Sequence, residues 1–309
     1  MMKKLLSLML VTAMLAGIFS ITGFAEKELY KPFENSEYFN YGDYDIHYRV
    51  FPAAGETKGR IMMLHGFMCS TYSWRNMIEG FTAAGYECVS ADLPDFGYST
   101  REHAGMNITE REELIIALMK SIADDGEWIL AGHSMGGGVA VNIAERMDLK
   151  ALMLYCPCAQ SEFPAAAKGI IQSGFMEQTM NLFFKYGTKL SLLVRLVIYA
   201  ATNNFKFAMD YDLSGVTDPV QYDGFGAGIC EMMYNVIPTD MDNVSKIKCP
   251  VLLCQAQKDI ILNDTQKAEM NDAFPGAVRY TLDGAGHQMI EDRAEELCAL
   301  SREFLGSKV

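Results

Sequence analysis

One serine lies in a sequence context typical of a catalytic nucleophile. Residues 132–136 read Gly-His-Ser-Met-Gly, after the apolar run Trp-Ile-Leu-Ala and before a helical stretch. A nucleophilic serine on such a sharp strand-to-helix turn takes a strained backbone conformation, and glycines two positions away on either side avoid steric clashes. A bare Gly-x-Ser-x-Gly arises by chance, but the strand–turn–helix context argues against a chance match. The pattern therefore predicts that Ser134 is a nucleophile.

A serine nucleophile needs a base that takes its proton and an acid that orients the base. Of the five histidines, His287 lies in the small-residue loop Asp-Gly-Ala-Gly-His after the last predicted strand, and Asp259 follows the strand-like run Pro-Val-Leu-Leu-Cys-Gln-Ala-Gln. Both are therefore expected at the carboxyl edge of a parallel sheet, where such sites form. We predict the triad Ser134, Asp259 and His287. Glu162, after the preceding strand, and Asp264, near the next helix start, are the alternative acids.

Attack by a serine on a carbonyl also needs N–H donors that bind the developing negative charge. The residue after the nucleophile, Met135, supplies one backbone N–H in this arrangement, and a loop after an earlier strand supplies the other. The sequence Leu-His-Gly-Phe at residues 64–67 ends an earlier predicted strand. We therefore predict an oxyanion hole made by the N–H groups of Phe67 and Met135, with His65 ordering the loop.

The elements that must position these residues follow one pattern along most of the chain. Short runs rich in Val, Ile, Leu and Met alternate with helix-period segments, and their apolar residues do not alternate with polar ones. This is typical of a mostly parallel sheet covered by helices on both faces, the α/β class. The predicted strands are Tyr44–Phe51, Arg60–Leu64, Glu87–Asp92, Trp128–Gly132, Ala151–Tyr155, Val251–Gln255 and Val278–Leu282, the earliest forming an antiparallel edge. The predicted helices are Thr109–Ala123, Gly136–Met147, Asp264–Ala273 and Ile290–Phe304.

The alternation stops over residues 158–246, which contain apolar helical runs and no clear strand pattern. An insert of this length is not an ordinary loop. We therefore predict a helical cap over residues 158–246, which leaves the core to residues 26–157 and 247–309. The cap is expected to cover Ser134 and to set substrate size. The cap side chains expected to adapt to or contact an apolar substrate are Met176, Met180, Phe183 and Phe184.

The N-terminus has the features of a bacterial export signal. Lys3 and Lys4 precede the uncharged segment Leu5–Ala25, and Gly23 and Ala25 place small residues before a cleavage position. We predict that residues 1–25 are a signal peptide, cleaved after Ala25, so that the protein is secreted. The alternative is an uncleaved membrane anchor, since the apolar segment is long. Membrane contact would then follow from this segment.

Composition and charge exclude several function classes. The chain has 309 residues, a net charge of −13 and no basic stripe, so we expect no nucleic-acid partner. No Cys-x-x-Cys pair occurs, and Cys156 and Cys158 have no cluster of His or Cys beside them, so no metal site is predicted. Eight cysteines in an exported chain suggest disulfides. We expect mostly free thiols, because a large core removes the need for covalent cross-links.

Five segments together resemble the landmarks of the α/β-hydrolase superfamily, in the order in which that family has them. They are LHGFMCSTYSW, ADLPDFGYST, LAGHSMGGG, PVLLCQAQKD and DGAGH, and the resemblance covers the core from about Tyr38 to Phe304. It implies an eight-stranded sheet, a cap inserted after the sixth strand and no cofactor. Two positions depart from the family: Asp95 stands where Gly is frequent, and Cys69 where Gly or Ser is more usual. Either is expected to narrow or repolarise the site.

The function expected from these residues is hydrolysis of a carboxylic ester through an acyl-enzyme intermediate, with a small molecule carrying an apolar acyl or aryl group as substrate. Two alternatives remain: an amide, peptide or carbon–carbon bond hydrolase with the same triad, and a non-catalytic ligand-binding protein on this fold. An aminopeptidase would need an acid for the substrate ammonium, and the candidates are Glu162, Glu177, Asp210 and Asp212. Epoxide and haloalkane hydrolysis are disfavoured, because similar family members with that chemistry carry Asp at the nucleophile position.

Overall fold

The computed structural model describes residues 29–101, 108–159, 164–221, 224–236, 239 and 241–309. The chain divides into two units, Met1–Pro32 and Phe33–Val309. In the first unit the structure describes residues 29–32, which form no helix or strand. The predicted signal peptide and Glu162 lie outside the described residues. No helix in the described part of the chain is long and apolar enough to span a membrane.

Eight strands form one sheet, which confirms the predicted α/β class and strand number. The strands are β1 (Ser36–Tyr41), β2 (Tyr44–Phe51), β3 (Gly59–Leu64), β4 (Tyr86–Ala91), β5 (Trp128–His133), β6 (Ala151–Tyr155), β7 (Val251–Ala256) and β8 (Val278–Leu282). Their order is β1-β2-β4-β3-β5-β6-β7-β8. The β1–β2 and β2–β4 pairs are antiparallel, and all other pairs are parallel. Strand β1 is absent from the sequence-based strand ranges because this edge strand is mostly exposed and lacks an apolar run.

The central strands explain the unbroken apolar runs in the sequence. On β3, Met62 and Leu64 pack into one apolar cluster, whereas Ile61 and Met63 pack into the cluster on the opposite face. Helices α1 (Arg75–Ala83) and α12 (Ala294–Lys308) cover the second face, and α2 (Ile108–Ile122) and α3 (Met135–Ala144) cover the first. Burial of a Leu or Ile side chain is worth about 1.5–3 kcal/mol, so strands of this kind must be covered on both faces.

Helices separate β6 from β7 in the described part of the chain. They are α4 (Ala165–Ile171), α5 (Gly174–Leu182), α6 (Ser191–Thr202), α7 (Phe205–Asp210), α8 (Ser214–Gln221) and α9 (Phe225–Tyr234), with a π-turn at Phe183–Gly187 and 3₁₀ turns at Met241–Lys246 and, before α1, Thr71–Trp74. After β7 follow α10 (Asp264–Ala273) and α11 (Met289–Asp292). All eight cysteines are free thiols.

Candidate active site

Ser134 lies on the turn between β5 and α3 with φ 52° and ψ −121°. A positive φ is strained for a residue with a Cβ, and it persists only where the surroundings hold it. Here the Ser134 N–H donates to the Tyr155 carbonyl at 3.0 Å, and the Ser134 carbonyl accepts from the Cys158 N–H at 2.9 Å. The adjacent strand β6 and its extension therefore hold the turn from both sides.

The two glycines around Ser134 are required by close backbone contacts. A Cβ on Gly136 would lie 2.3 Å from the Leu64 carbonyl oxygen, and a Cβ on Gly132 would lie 2.4 Å from the Gly136 carbonyl oxygen. Real Cβ atoms do not approach oxygen so closely. The start of α3 can therefore lie against the ends of β3 and β5 only where side chains are absent, which is the reason for the Gly-x-Ser-x-Gly spacing.

The structure brings the three predicted triad residues into one hydrogen-bonded chain. The His287 Nε2 atom lies 2.8 Å from Ser134 Oγ, and the His287 Nδ1 atom lies 2.7 Å from Asp259 Oδ2. The second Asp259 oxygen accepts the N–H groups of Ile261 and Leu262 at 2.8 and 2.9 Å. The side chains of His287 and Asp259 are 4% and 1% exposed, so bulk water does not compete for these bonds.

The charge state of Asp259 suits the orientation of a histidine. Burial alone would raise the Asp259 pKa, but the hydrogen bond and charge interaction with His287 and the two backbone N–H donors outweigh it, so the net pKa is lowered. The carboxylate is therefore ionised at neutral pH and accepts the Nδ1–H of His287. This leaves the Nε2 lone pair of a neutral His287 directed at Ser134.

Asp264, one alternative acid, lies elsewhere. It is the first residue of α10, its side chain is fully exposed, and its carboxylate is 3.6 Å from Lys267 Nζ. Glu162 lies outside the described residues.

The two predicted oxyanion donors follow two different strands, β3 and β5. Phe67 follows β3, and Met135 is the first residue of α3. Within the described ranges, neither backbone N–H donates to a protein acceptor, as expected for Met135 at a helix N-terminus. His65 orders the loop after β3 that carries Phe67. Its Nε2 accepts the Leu93 N–H at 3.0 Å, and its Nδ1 donates to the Gly66 carbonyl at 2.7 Å. Burial lowers the His65 pKa, which favours this neutral form.

His133 contributes a contact that sequence reasoning missed. Its Nε2 donates to the His287 carbonyl at 3.0 Å, and the two imidazole centroids are 5.1 Å apart. Burial and repulsion from His287 lower the His133 pKa to about 3, so the ring is neutral. His133 therefore helps to hold the backbone of His287. The sequence places His133 between the glycine and the serine of the motif, which locates it beside Ser134. Only the fold shows that it contacts the His287 carbonyl.

A second missed residue is Cys156, directly after β6. Its thiol hydrogen-bonds Asp259, and burial raises the thiol pKa well above its usual value, so Cys156 remains a neutral donor. Ligand atoms of Cys156, Asp259 and His287 lie within 4.8 Å of one another, a set that would suit a metal. However, the Nδ1–H of His287 already points at Asp259, and Nε2 faces Ser134. A metal would have to break these contacts, so the arrangement fits proton transfer better.

Ser134 and His287 open into a cavity of about 370 Å³. Its lining is largely apolar and comes from the β3 loop, the π-turn, α6 and α8, including Phe67, Phe183, Phe184, Leu193, Val194, Val197, Ile198, Val216 and Val220. Cys69 lines the cavity, as its position near the oxyanion loop indicated. Met176 and Met180 do not line it, so the expectation that they contact substrate is wrong. They lie on faces of α5 directed elsewhere, and Met180 packs against the core.

Asp95 also lies outside the cavity lining, which corrects the expectation that it narrows or repolarises the site. It has φ 71°, in the left-handed region that favours glycine. Its carboxylate pairs with Arg111 at 2.5 Å. Asp95 also packs closely on Gly228 of α9, since a Cβ added to Gly228 would lie 3.1 Å from the Asp95 Cβ. Burial raises the Asp95 pKa to about 6, against the opposing effect of Arg111. Asp95 therefore joins the core loop to the helices inserted between β6 and β7.

The C-terminal end of α6 holds the loop that carries His287. The Gly286 N–H donates to the Thr202 carbonyl at 3.1 Å, and the Gln288 N–H donates to the Ala201 carbonyl at 2.9 Å. The Asn203 side chain, at the left-handed end of α6, donates to the Gly284 carbonyl at 3.0 Å. These bonds lie on both sides of His287. The position of α6 and that of His287 are therefore linked.

Comparisons with known proteins agree with this architecture. Residues 59–294 match the family model described as alpha/beta hydrolase fold. An uncharacterized hydrolase of Bacillus subtilis is 21% identical over 266 residues, covering 84% of this chain and 94% of the relative. A putative esterase/lipase of Mycoplasma pneumoniae is 24% identical over 234 residues, covering 73% and 81%.

Solved structures resemble the chain over most of its length. An enol-lactonase from Burkholderia xenovorans has a TM-score of 0.69 at 18% identity, covering 87% of this chain and 100% of the other. An epoxide hydrolase has a TM-score of 0.69 at 18% identity, covering 88% and 98%. These likenesses at low identity describe the fold, and the family match covers more than half of the sequence. The chain belongs to the alpha/beta hydrolase fold family.

Proposed function

We propose that this hydrolase cleaves carboxylic esters with an apolar acyl or aryl group, with Ser134 as nucleophile, His287 as base and Asp259 as the acid that orients the base. The observation that carries the proposal is the buried hydrogen-bonded chain from Ser134 Oγ through His287 to Asp259, which opens into a largely apolar cavity. Concave apolar cavities with a few convergent polar groups bind small apolar ligands.

The proposed reaction has two halves. Ser134 Oγ attacks the ester carbonyl while His287 Nε2 takes the hydroxyl proton, and the N–H groups of Phe67 and Met135 bind the oxyanion. His287 then gives this proton to the departing alkoxide, which leaves as the alcohol. In the second half, His287 takes a proton from water as the water attacks the acyl-enzyme. The second intermediate collapses, Ser134 regains its proton, and the carboxylic acid leaves.

The charge in the cavity favours an ester substrate over a peptide with a free amino terminus. Glu177, Asp210 and Asp212 do not line it, and Glu162 lies outside the described residues. Glu291 is the one acidic residue in the described lining of the cavity. Its carboxylate already accepts hydrogen bonds from Arg75, Tyr211 and Gln288. A substrate ammonium would therefore meet a carboxylate whose charge Arg75 already compensates, which disfavours an aminopeptidase.

The epoxide hydrolase likeness does not change the proposal. It concerns the fold, and the nucleophile position here holds Ser134 rather than the Asp expected for that chemistry.

Substrate chain length is expected to depend on Phe183 and not on the methionines of α5. Phe183→Ala removes part of the cavity wall and so enlarges the cavity. The ratio of kcat/KM for long over short acyl esters is therefore expected to rise about tenfold. The control variants Met176→Ala and Met180→Ala are expected to keep the wild-type profile, because neither residue lines the cavity. The measurement is a panel of soluble esters of graded acyl length, with amides and a diketone of matched size.

The same panel separates the proposed function from its alternatives. Turnover confined to esters supports it, whereas faster cleavage of amides or of the diketone would assign the triad to another bond. No turnover of any panel member would favour a ligand-binding protein. If Phe183→Ala kept the wild-type length profile, the helices around the cavity would have no role in chain-length selection.

The link between α6 and the base leads to a second expectation. Gly286→Ala should lower kcat about 100-fold, because the new Cβ would lie 2.5 Å from the Ala201 carbonyl oxygen and displace the loop that carries His287. Gly276→Ala is the matched control, since a Cβ there meets nothing within 4 Å. Steady-state kinetics and thermal melting of both variants check this. Unchanged kcat in a folded Gly286→Ala variant would contradict the positioning role of α6.

A further inference from the structure

The helices inserted between β6 and β7 expose an unusual amount of apolar surface. Phe175 is 78% exposed and Leu192 is 64% exposed. We define the apolar cap face by the exposed side chains of α5, the π-turn and α6. Together with Leu190, which lies between the π-turn and α6, they are Phe175, Leu182, Phe183, Tyr186, Leu192, Leu193, Leu196, Val197 and Tyr199. Apolar surfaces of this extent mark contact sites.

Helix α6 shows that the cavity accounts for only part of this face. Its inner side, Leu193, Val194, Val197, Ile198 and Ala201, lines the cavity. Its other side carries Leu192, Leu196 and Tyr199 at spacings of four and three residues, and all three are exposed. A helix with apolar residues on both sides is expected to be covered on both sides. Within the described residues, the outer side is uncovered.

The polar residues of α6 do not make its outer side hydrophilic. The Arg195 guanidinium donates to the carbonyls of Ala208 and Tyr211 at 2.9 and 3.0 Å, and is therefore engaged within the cap. The Thr202 hydroxyl donates to the Ile198 carbonyl at 2.8 Å. These two polar groups therefore point at protein acceptors, and Leu192 and Leu196 remain in contact with water.

Charge indicates what covers this face. From Phe175 to Tyr199, the span of this face, the chain contains three basic residues, Lys185, Lys189 and Arg195, and one acidic residue, Glu177, whereas the net charge of the whole chain is −13. Lys185 and Lys189 are exposed and lie between Phe183 and Leu190 of the apolar cap face. Apolar side chains interspersed with exposed lysines fit the interface of an anionic bilayer, where the apolar groups enter the leaflet and the lysines meet the headgroups.

We propose that the apolar cap face docks on the surface of an anionic lipid bilayer. A symmetric contact with a second copy fits less well, because it would bring the same surface, with Lys185 and Lys189, against itself. Docking does not require α6 to swing away, since its C-terminal end holds the His287 loop. The same helix lines the cavity, so docking would bring the cavity walls at Leu193 and Val197 close to the leaflet.

A tryptophan placed on the face tests the proposal. Trp74 and Trp128 are both fully buried, so a new tryptophan reports its own surroundings. Leu192→Trp is made in the full chain, and Tyr41→Trp, at an exposed apolar position on edge strand β1, is the matched control. Both variants carry the same N-terminal segment, so a difference between them reports the cap. The vesicles are made of phosphatidylglycerol or phosphatidylcholine with brominated acyl chains, which quench tryptophan fluorescence.

We expect phosphatidylglycerol vesicles to quench the fluorescence of Leu192→Trp about twofold or more and to leave that of Tyr41→Trp unchanged. Lys185→Gln/Lys189→Gln in the Leu192→Trp background should weaken binding about 25-fold, since each lysine near an anionic surface contributes about fivefold. Phosphatidylcholine vesicles should quench less.

Three results would overturn the proposal. They are equal quenching in the two tryptophan variants, no quenching of Leu192→Trp, and a concentration-dependent dimer whose formation shields the new tryptophan from a soluble quencher. Equal binding to phosphatidylglycerol and phosphatidylcholine vesicles, unchanged by the lysine substitutions, would overturn the role assigned to the lysines. None of these measurements involves ester turnover, so they are independent of the proposed function.

Discussion

Ser134→Ala is expected to lower kcat for a soluble ester by on the order of a million-fold and to leave the fold intact. The substitution removes the one oxygen that lies 2.8 Å from His287 Nε2. No other group is then positioned for attack, so the remaining rate comes from binding and the oxyanion donors. The side chain makes no other hydrogen bond within the described structure, so the melting temperature should change little.

The control for this variant is Ser90→Ala. Ser90 is also fully buried, on β4, and its hydroxyl has no partner in the described part of the chain, so its loss should leave turnover near the wild-type value. Turnover is measured on purified protein with a chromogenic short-chain ester, together with circular dichroism. A folded Ser134→Ala variant that kept more than a few per cent of wild-type turnover would show that another group attacks the substrate.

Asp259→Asn is expected to lower kcat about 10⁴-fold with little change in KM. An amide at this position donates its N–H₂ or presents a weaker acceptor, so His287 no longer holds its proton on Nδ1. Nε2 then carries the proton and cannot accept that of Ser134. Because Ile261 and Leu262 also donate to the Asp259 carboxylate, the loop after β7 loses part of its order, and a modest fall in melting temperature should accompany the loss.

Asp264→Asn is the matched control for this second variant. It removes a fully exposed carboxylate near the start of α10 and should keep activity near the wild-type value. Glu162→Gln completes the comparison of the three acids after β6 and β7. A larger loss of kcat in either variant than in Asp259→Asn would transfer the orienting role to that acid.

Local sequence patterns contained most of the information about the core. The Gly-x-Ser-x-Gly spacing around Ser134 follows from contacts with the next few residues and with β3, and such steric demands leave a readable glycine pattern. The unbroken apolar runs of β3, β5 and β6 follow from burial on both faces. Strand β1 lacked this pattern because an exposed edge strand places few demands on side-chain type.

Contacts between residues far apart in sequence were not readable in the same way. His133 and Cys156 could be located beside the nucleophile and after β6, but their bonds to His287 and Asp259 depend on how three strand ends converge. The expectation for Met176 and Met180 failed for a similar reason. Apolar composition does not reveal which side of a helix faces a cavity when both sides are apolar.

By itself the sequence predicted the fold class, the order of the core strands along the chain and the grouping of Ser134, Asp259 and His287 that the structure shows, because each depends on residue types within a short segment. The tertiary structure alone decided which residues line the cavity, that α6 holds the loop of the base, and that the outer side of α6 is exposed. These properties depend on the orientation of helices relative to the sheet, which arises from packing between segments more than 80 residues apart, such as Thr202 and Gly286.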